Sequence, residues 1–173
     1  MVNVSNRATV TLPTDEQILI VREFDAPRNL VYEAWTTPEL VKRWWSGQRG
    51  QMTLVEIDLR VGGSWRYVLT HSRGFEVAFH GEYREIVPNE RIVTTEVFEM
   101  PDVKAAENEA NAALNIITFT EVDGRTTLSL LVQTNSSEIR DAIINSGMEG
   151  GMQEQMDRLD EVLGELARSD QSE

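Results

Sequence analysis

Residues 1–16 carry no sustained hydrophobic period and end in Pro13, Thr14, Asp15 and Glu16, which reads as a polar N-terminal tail or edge segment. From Ile18 the pattern changes. Ile18, Ile20, Arg22 and Phe24 alternate with Leu19, Val21 and Glu23 in a β-branched run, as expected of a strand that is apolar on much of both faces. Asp25 and Pro27 then signal a helix, aspartate as a cap and proline because the first turn needs no amide donor. Leu30, Val31, Ala34 and Trp35 form its apolar face. A second start follows at Thr37-Pro38-Glu39, and Leu40, Val41, Trp44 and Trp45 repeat the spacing before Gly47 ends the helix. Neither helix is long enough to be stable alone, so both must lie against apolar surface.

Between Met52 and Val132 the period is two. Strands are expected at 52–60 with Val55, Ile57 and Leu59 on one face, at 64–71 with Trp65, Tyr67 and Leu69, and at 75–87 with Phe75, Val77, Phe79, Gly81 and Tyr83. A further strand is expected at 91–99, and the Asp123-Gly124 turn joins 114–121 to 126–133 with Ile117 and Phe119 facing Leu128, Leu130 and Val132. The alanine- and glutamate-rich interruption at 100–113 reads as a solvated loop or a single helix rather than a lid. After Asn135, Ser136 or Ser137 caps a last helix whose stripe is Ile139, Ile143, Met148, Met152, Met156, Leu159, Leu163 and Leu166. From Glu138 to Leu166 it would span roughly 43 Å, enough to cross a small sheet. The predicted fold is α+β: a curled antiparallel sheet of about seven strands, in the order strand, two helices, six strands, helix, wrapped around the long C-terminal helix.

Charge narrows the partners. Sixteen basic against 29 acidic residues give a net charge of −13, which repels nucleic acid and anionic membranes, so neither is an expected partner and the tryptophans are not a stacking platform for bases. The N-terminus lacks the pattern of a secretory signal, and no stretch reaches the roughly 18 continuous apolar residues of a spanning helix. With no cysteine, disulfides and thiolate chemistry are excluded and a cytoplasmic location is expected. There is no nucleophile elbow, phosphate loop or zinc motif, so no cofactor and no metal are expected.

The order of elements, with "FDAPRNLVYEAWTTPELVKRWW", "DLRVGGSWRY", "FHGEYREIVPNERIV", "ITFTEVDGRTTLSL" and "SGMEGGMQEQMDRLDEVL", resembles the single-domain bacterial relatives of the C-terminal domain of the ninety-kilodalton heat-shock protein ATPase activator. That family belongs to the helix-grip (START/SRPBCC) superfamily of the birch-pollen allergen and the polyketide cyclases. The resemblance covers about residues 17–167, taken as the domain, with 1–16 and 168–173 as polar tails; the tail and the segment around 104–113 depart from it. It implies a fold that commonly encloses a cavity between sheet and long helix.

In such a fold the inward parities place Trp65, Tyr67, Phe79, Tyr83 and Phe119 opposite Met148, Met152 and Met156, either as a filled core or as a cavity suited to a small aromatic or lipid-like molecule. Gly151, with Gly147 and Gly150, interrupts the helix where a close approach or a kink must offset the cost of glycine. Of the paired tryptophans, Trp44 is expected to touch a ligand and Trp45 to hold the helix down, with Lys42 and Arg43 solvated. His71 and His80 read as surface residues. Arg60, Arg66, Arg84 and Arg91 read as outer-face partners of glutamates.

Three functions follow, in descending order: a binding protein for a small hydrophobic molecule, not an enzyme; a cyclase- or dehydratase-type enzyme using Tyr67, Tyr83 or, less favourably, Glu85; and a co-chaperone-like interaction module. A homodimer is compatible with the sequence, and a chaperone partner follows only from the family's name.

Overall fold

The computed structural model describes residues 7–99 and 102–171. Residues 1–6 of the expected tail, Met100 and Pro101 of the interruption, and residues 172–173 lie outside the described residues. The elements run β1 (Thr9–Thr11), β2 (Gln17–Phe24), α1 (Arg28–Thr36), α2 (Pro38–Trp44), β3 (Gly50–Ile57), β4 (Ser64–His71), β5 (Glu76–Val87), β6 (Arg91–Phe98), α3 (Ala105–Ala110), β7 (Ala113–Val122), β8 (Arg125–Gln133), α4 (Ser137–Asn145) and α5 (Met148–Gln171).

All eight strands join one curled, unclosed antiparallel sheet in the order β1-β2-β8-β7-β6-β5-β4-β3. Six strands from β3 to β8 follow one another as a meander, joined by short connections except between β6 and β7, where the connection carries α3. β2 closes the order by pairing with β8 from Gln17↔Gln133 to Phe24↔Thr126. The chain must therefore pass from one side of the sheet to the opposite edge between β2 and β3. The α1–α2 pair makes that crossing, packing on β3, β7, β8 and α5.

The architecture is the α+β, helix-grip arrangement expected from the sequence, with two differences. An eighth strand, β1, pairs Thr9↔Val21 and Thr11↔Leu19. Its three residues offer too little alternation to register as a strand. It is held by contacts distant in sequence: the Ala8 amide donates to Gln153 Oε1 at 3.1 Å, and Gln153 Nε2 donates to the Ala8 carbonyl at 2.8 Å. The long helix is also divided. Gly147 sits at φ +85° with nothing within 4 Å of where a Cβ would lie, so backbone conformation rather than crowding calls for glycine at this break.

α5 lies in the concave face and buries Met152, Met156, Leu159, Val162 and Leu163. Burying each such side chain stabilises the fold by roughly 1.5–3 kcal/mol. Buried Arg22 of β2 reaches from the sheet to the helix, its Nη1 2.9 Å from Asp157 Oδ1. At the N-terminus of α4, Ser136 Oγ accepts the Ile139 amide at 3.1 Å, the cap read from the sequence. Among the described residues no helix is long and apolar enough to cross a membrane.

Candidate functional site

The strand register arranges the inward side chains in rows. Leu69 faces Val77, and Tyr67, Phe79 and Phe98 form the next row. Trp65 pairs with Gly81, and the His80↔Val97 and Tyr83↔Thr94 pairings bring Gly81 opposite Glu96. Further in lie Tyr83, Thr94, Asn115 and Val132, then Ile92, Ile117, Leu130 and Ile20. These rows and α5 enclose a cavity of about 340 Å³, closed at the sides by Trp35 of α1, Trp45, Ser46 and Arg49 after α2, and Ile143 of α4.

Eight of the ten residues singled out from the sequence line this cavity: Trp65, Tyr67, Phe79, Tyr83, Met148, Gly151, Met152 and Met156. Trp44 and Phe119 do not. Trp44 is 1% exposed, packs on Trp35 with ring centroids 4.8 Å apart, and donates its indole N–H to the Ala34 carbonyl at 3.0 Å. Trp45 takes the wall position instead, with its ring 5.3 Å from Tyr67 and 5.0 Å from Phe79. The expected roles of the two tryptophans are thus exchanged. α1 packs across α2 on the Trp44 side, and the wheel spacing alone could not say on which side α1 would lie. Phe119 is on the inward face but beyond the cavity, against Tyr32 of α1 at 5.8 Å.

The glycines of α5 have a specific neighbour. A Cβ at Gly150 would lie 3.2 Å from Arg49 Nη2, and one at Gly151 would lie 3.8 Å from the guanidinium carbon. Arg49 therefore lies across the bare helix face, and its Nε donates to Glu154 Oε2 at 3.0 Å. This places a cation, 45% exposed in its side chain, at the cavity's edge.

Sequence reasoning missed the polar groups inside. Glu96 and Asn115 both line the cavity, and Asn115 Nδ2 donates to Glu96 Oε2 at 3.0 Å. Glu96 is half-buried. Burial accordingly raises its pKa above the ordinary carboxylate value, against the opposing effect of the Asn115 hydrogen bond. Trp35 Nε1, Trp65 Nε1 and Asn115 Oδ1 are buried without a hydrogen-bond partner among the described residues.

Burial, and after it the neighbouring Tyr83 and Glu96, push the Tyr67 phenol well above its ordinary value. Burial and Tyr32 do the same for Tyr83. Both phenols stay neutral and can donate a hydrogen bond. The signal for the missed pair was present in the parity: Asn115 is two residues from Ile117, and Glu96 shares its face with Ile92, so each is a polar residue on an apolar face.

The remaining candidates lie elsewhere. His80 is on the outer face, with Nδ1 2.8 Å from Glu99 and Nε2 2.6 Å from Glu109 of α3. His71 accepts the Arg73 amide at its strand-end turn and stacks on Phe75. Arg60, Arg66, Arg84 and Arg91 pair with Asp58, Glu99, Glu82 and Glu85, all at half-exposed or exposed positions. Glu85 is thereby outside the cavity.

Comparison with known proteins agrees with this architecture. A search of curated proteins found no significant match. A crystal structure of a Rhodobacter sphaeroides protein superposes with a TM-score of 0.81 at 23% identity, covering 91% of this chain and 98% of that one. A solution structure from Arthrobacter aurescens gives 0.81 at 23% identity over 91% of both chains. A crystal structure from Chromobacterium violaceum gives 0.74 at 25% identity over 87% of this chain and 98% of the other. The profile of the family described as "Activator of Hsp90 ATPase homolog 1-like protein" matches residues 25–164, from the end of β2 to deep in α5, and the chain belongs to that family.

Proposed function

We propose that the protein binds a small, largely apolar molecule, aromatic or lipid-like, in the cavity between sheet and α5, in a cytoplasmic setting that suits a chain without cysteine. The observation that carries this reading is the wall itself. Trp45, Trp65, Tyr67 and Phe79 stand around about 340 Å³ of space, although α5 supplies three methionines long and flexible enough to fill smaller gaps. Rings in contact with one another and with open space offer flat apolar surface to a guest at little entropic cost.

N-phenyl-1-naphthylamine, a neutral fluorescent probe, should bind saturably and raise the melting temperature, since a ligand that binds only the folded state stabilises it by about 2.7 kcal/mol at a hundredfold excess over its dissociation constant. Val132→Phe, which fills the cavity from its sheet side, should abolish both effects. A probe that binds the variant equally well would show that the cavity is not the site.

One observation favours a second reading, a cyclase- or dehydratase-type enzyme. Glu96 is a carboxyl of raised pKa inside an apolar cavity, which suits general acid–base work. Its bonded neighbour is an amide that does not titrate, so binding remains the better supported function. An enzyme would convert a bound compound to product, and Glu96→Gln would stop the conversion while leaving the compound bound.

A further inference from the structure

Among the described residues, the cavity contains a carboxyl with no cation paired to it. Glu96 makes no ion pair among the described residues, and its one hydrogen bond comes from the neutral amide of Asn115. Arg49 is the sole cationic side chain lining the cavity among the described residues, and it is tied to Glu154 on α5. An ionised carboxylate in such a place is costly unless it is paired. The only other carbonyl-type side-chain oxygens among the described lining residues belong to Asn115 and Gln155. With Asn115 Nδ2 committed to Glu96, Asn115 Oδ1 is left as a buried acceptor without a partner. Trp65 and Tyr67, whose ring centroids are 4.7 Å apart, and Tyr83 line the same space.

Resting on the reading of the cavity as a ligand site, we propose that its ligand is an amphipathic amine, whose ammonium is held at Glu96 while its apolar body lies along Trp45, Phe79 and Met148. An ammonium donates to the Glu96 carboxylate, supplies the counter-charge it lacks, and gains further attraction where it meets an aromatic ring. The rise in the pKa of Glu96 on burial agrees with a group that has no counter-charge among the described residues. A carboxylate ligand would meet Glu96 with like charge. A neutral alcohol would satisfy an acceptor without compensating the charge.

The test uses three probes with one apolar body: 2-naphthylmethylamine, 2-naphthylmethanol and 2-naphthoate, titrated calorimetrically into the wild-type chain and into Glu96→Gln. On the wild type, the amine should bind at least about tenfold more tightly than the alcohol, and naphthoate more weakly than either. Glu96→Gln should erase the preference for the amine while leaving alcohol binding within about threefold. Glu161→Gln, which removes one exposed negative charge from α5, should leave the preference intact and so separate a local pairing from the general attraction of an acidic protein. Alcohol binding equal to amine binding in the wild type, or a preference that survives Glu96→Gln, overturns the amine proposal and leaves the cavity reading standing. If none of the three probes binds, both fall together.

Discussion

Trp45 meets Phe79 edge to face at the cavity wall, with ring centroids 5.0 Å apart and planes at 70°. Its neighbour in sequence, Trp44, belongs instead to the packing between α1 and α2. Adjacent tryptophans on one helix end thus serve two surfaces. Trp44→Ala should cost about 3–5 kcal/mol of stability in urea denaturation, as expected for a fully buried aromatic. Trp45→Ala should cost less than Trp44→Ala and weaken probe binding more than its effect on stability accounts for. Equal stability losses with no change in binding would contradict this division.

Glycines in the sheet and in α5 should respond oppositely to alanine. A Cβ at Gly81 would stand 1.9 Å from the Thr95 carbonyl oxygen and 2.5 Å from Trp65 Nε1, so backbone must move. Gly81→Ala should destabilise by about 1–3 kcal/mol or more. At Gly151 the nearest neighbour is the flexible Arg49 at 3.8 Å, and Gly151→Ala should gain up to about 1 kcal/mol from helix propensity. Denaturant midpoints of the two variants check the pair of signs.

How much of this was readable from residues alone follows from what periodicity encodes. Alternation along β4 and β5 assigned Trp65, Tyr67, Phe79 and Tyr83 to the inward face, because side-chain direction along a strand is local geometry. Alternation does not encode depth along the sheet, so Phe119 was placed with them although α1 covers it. The Trp44/Trp45 exchange has the same origin, since a wheel position names a face and only tertiary packing decides what that face meets. Arg49 escaped notice because its partners, Gly150 and Glu154, are about a hundred residues away, and no local pattern marks such a contact.

Glu96 should make stability depend on pH in a definite direction. Its pKa is raised in the folded state, so its contribution is fully present below the ordinary carboxylate value of 4.5 and is lost as pH rises through the raised value. Glu96→Gln removes that loss while keeping an oxygen to accept from Asn115. Urea midpoints at about pH 5 and about pH 8 should therefore diverge, the variant being the more stable at the higher pH. A gap that shrinks with rising pH would reverse the assignment.

On the outer face, the imidazole of His80 links β5 to α3 between two carboxylates, Glu99 and Glu109. Burial alone would lower the pKa of His80, but its hydrogen bonds to Glu109 and Glu99 outweigh burial and raise it above 6.5. The stabilisation is present below the ordinary imidazole value and is lost as pH rises through the raised one. An NMR titration of the imidazole should place its midpoint above that value, and Glu109→Gln should bring it down. An unchanged midpoint in the variant would show that Glu109 does not hold the ring.

The central claim is that the space between the sheet and α5 receives a ligand. The most direct measurement labels the methionine methyl groups with carbon-13 and follows them by NMR as N-phenyl-1-naphthylamine is added. Met148, Met152 and Met156 line the cavity, whereas Met52 of β3 packs on the core without lining it. The account predicts saturable shifts of the three α5 methyls, larger than that of Met52. Shifts confined to Met52, or α5 methyls that stay fixed while the probe binds, would contradict it.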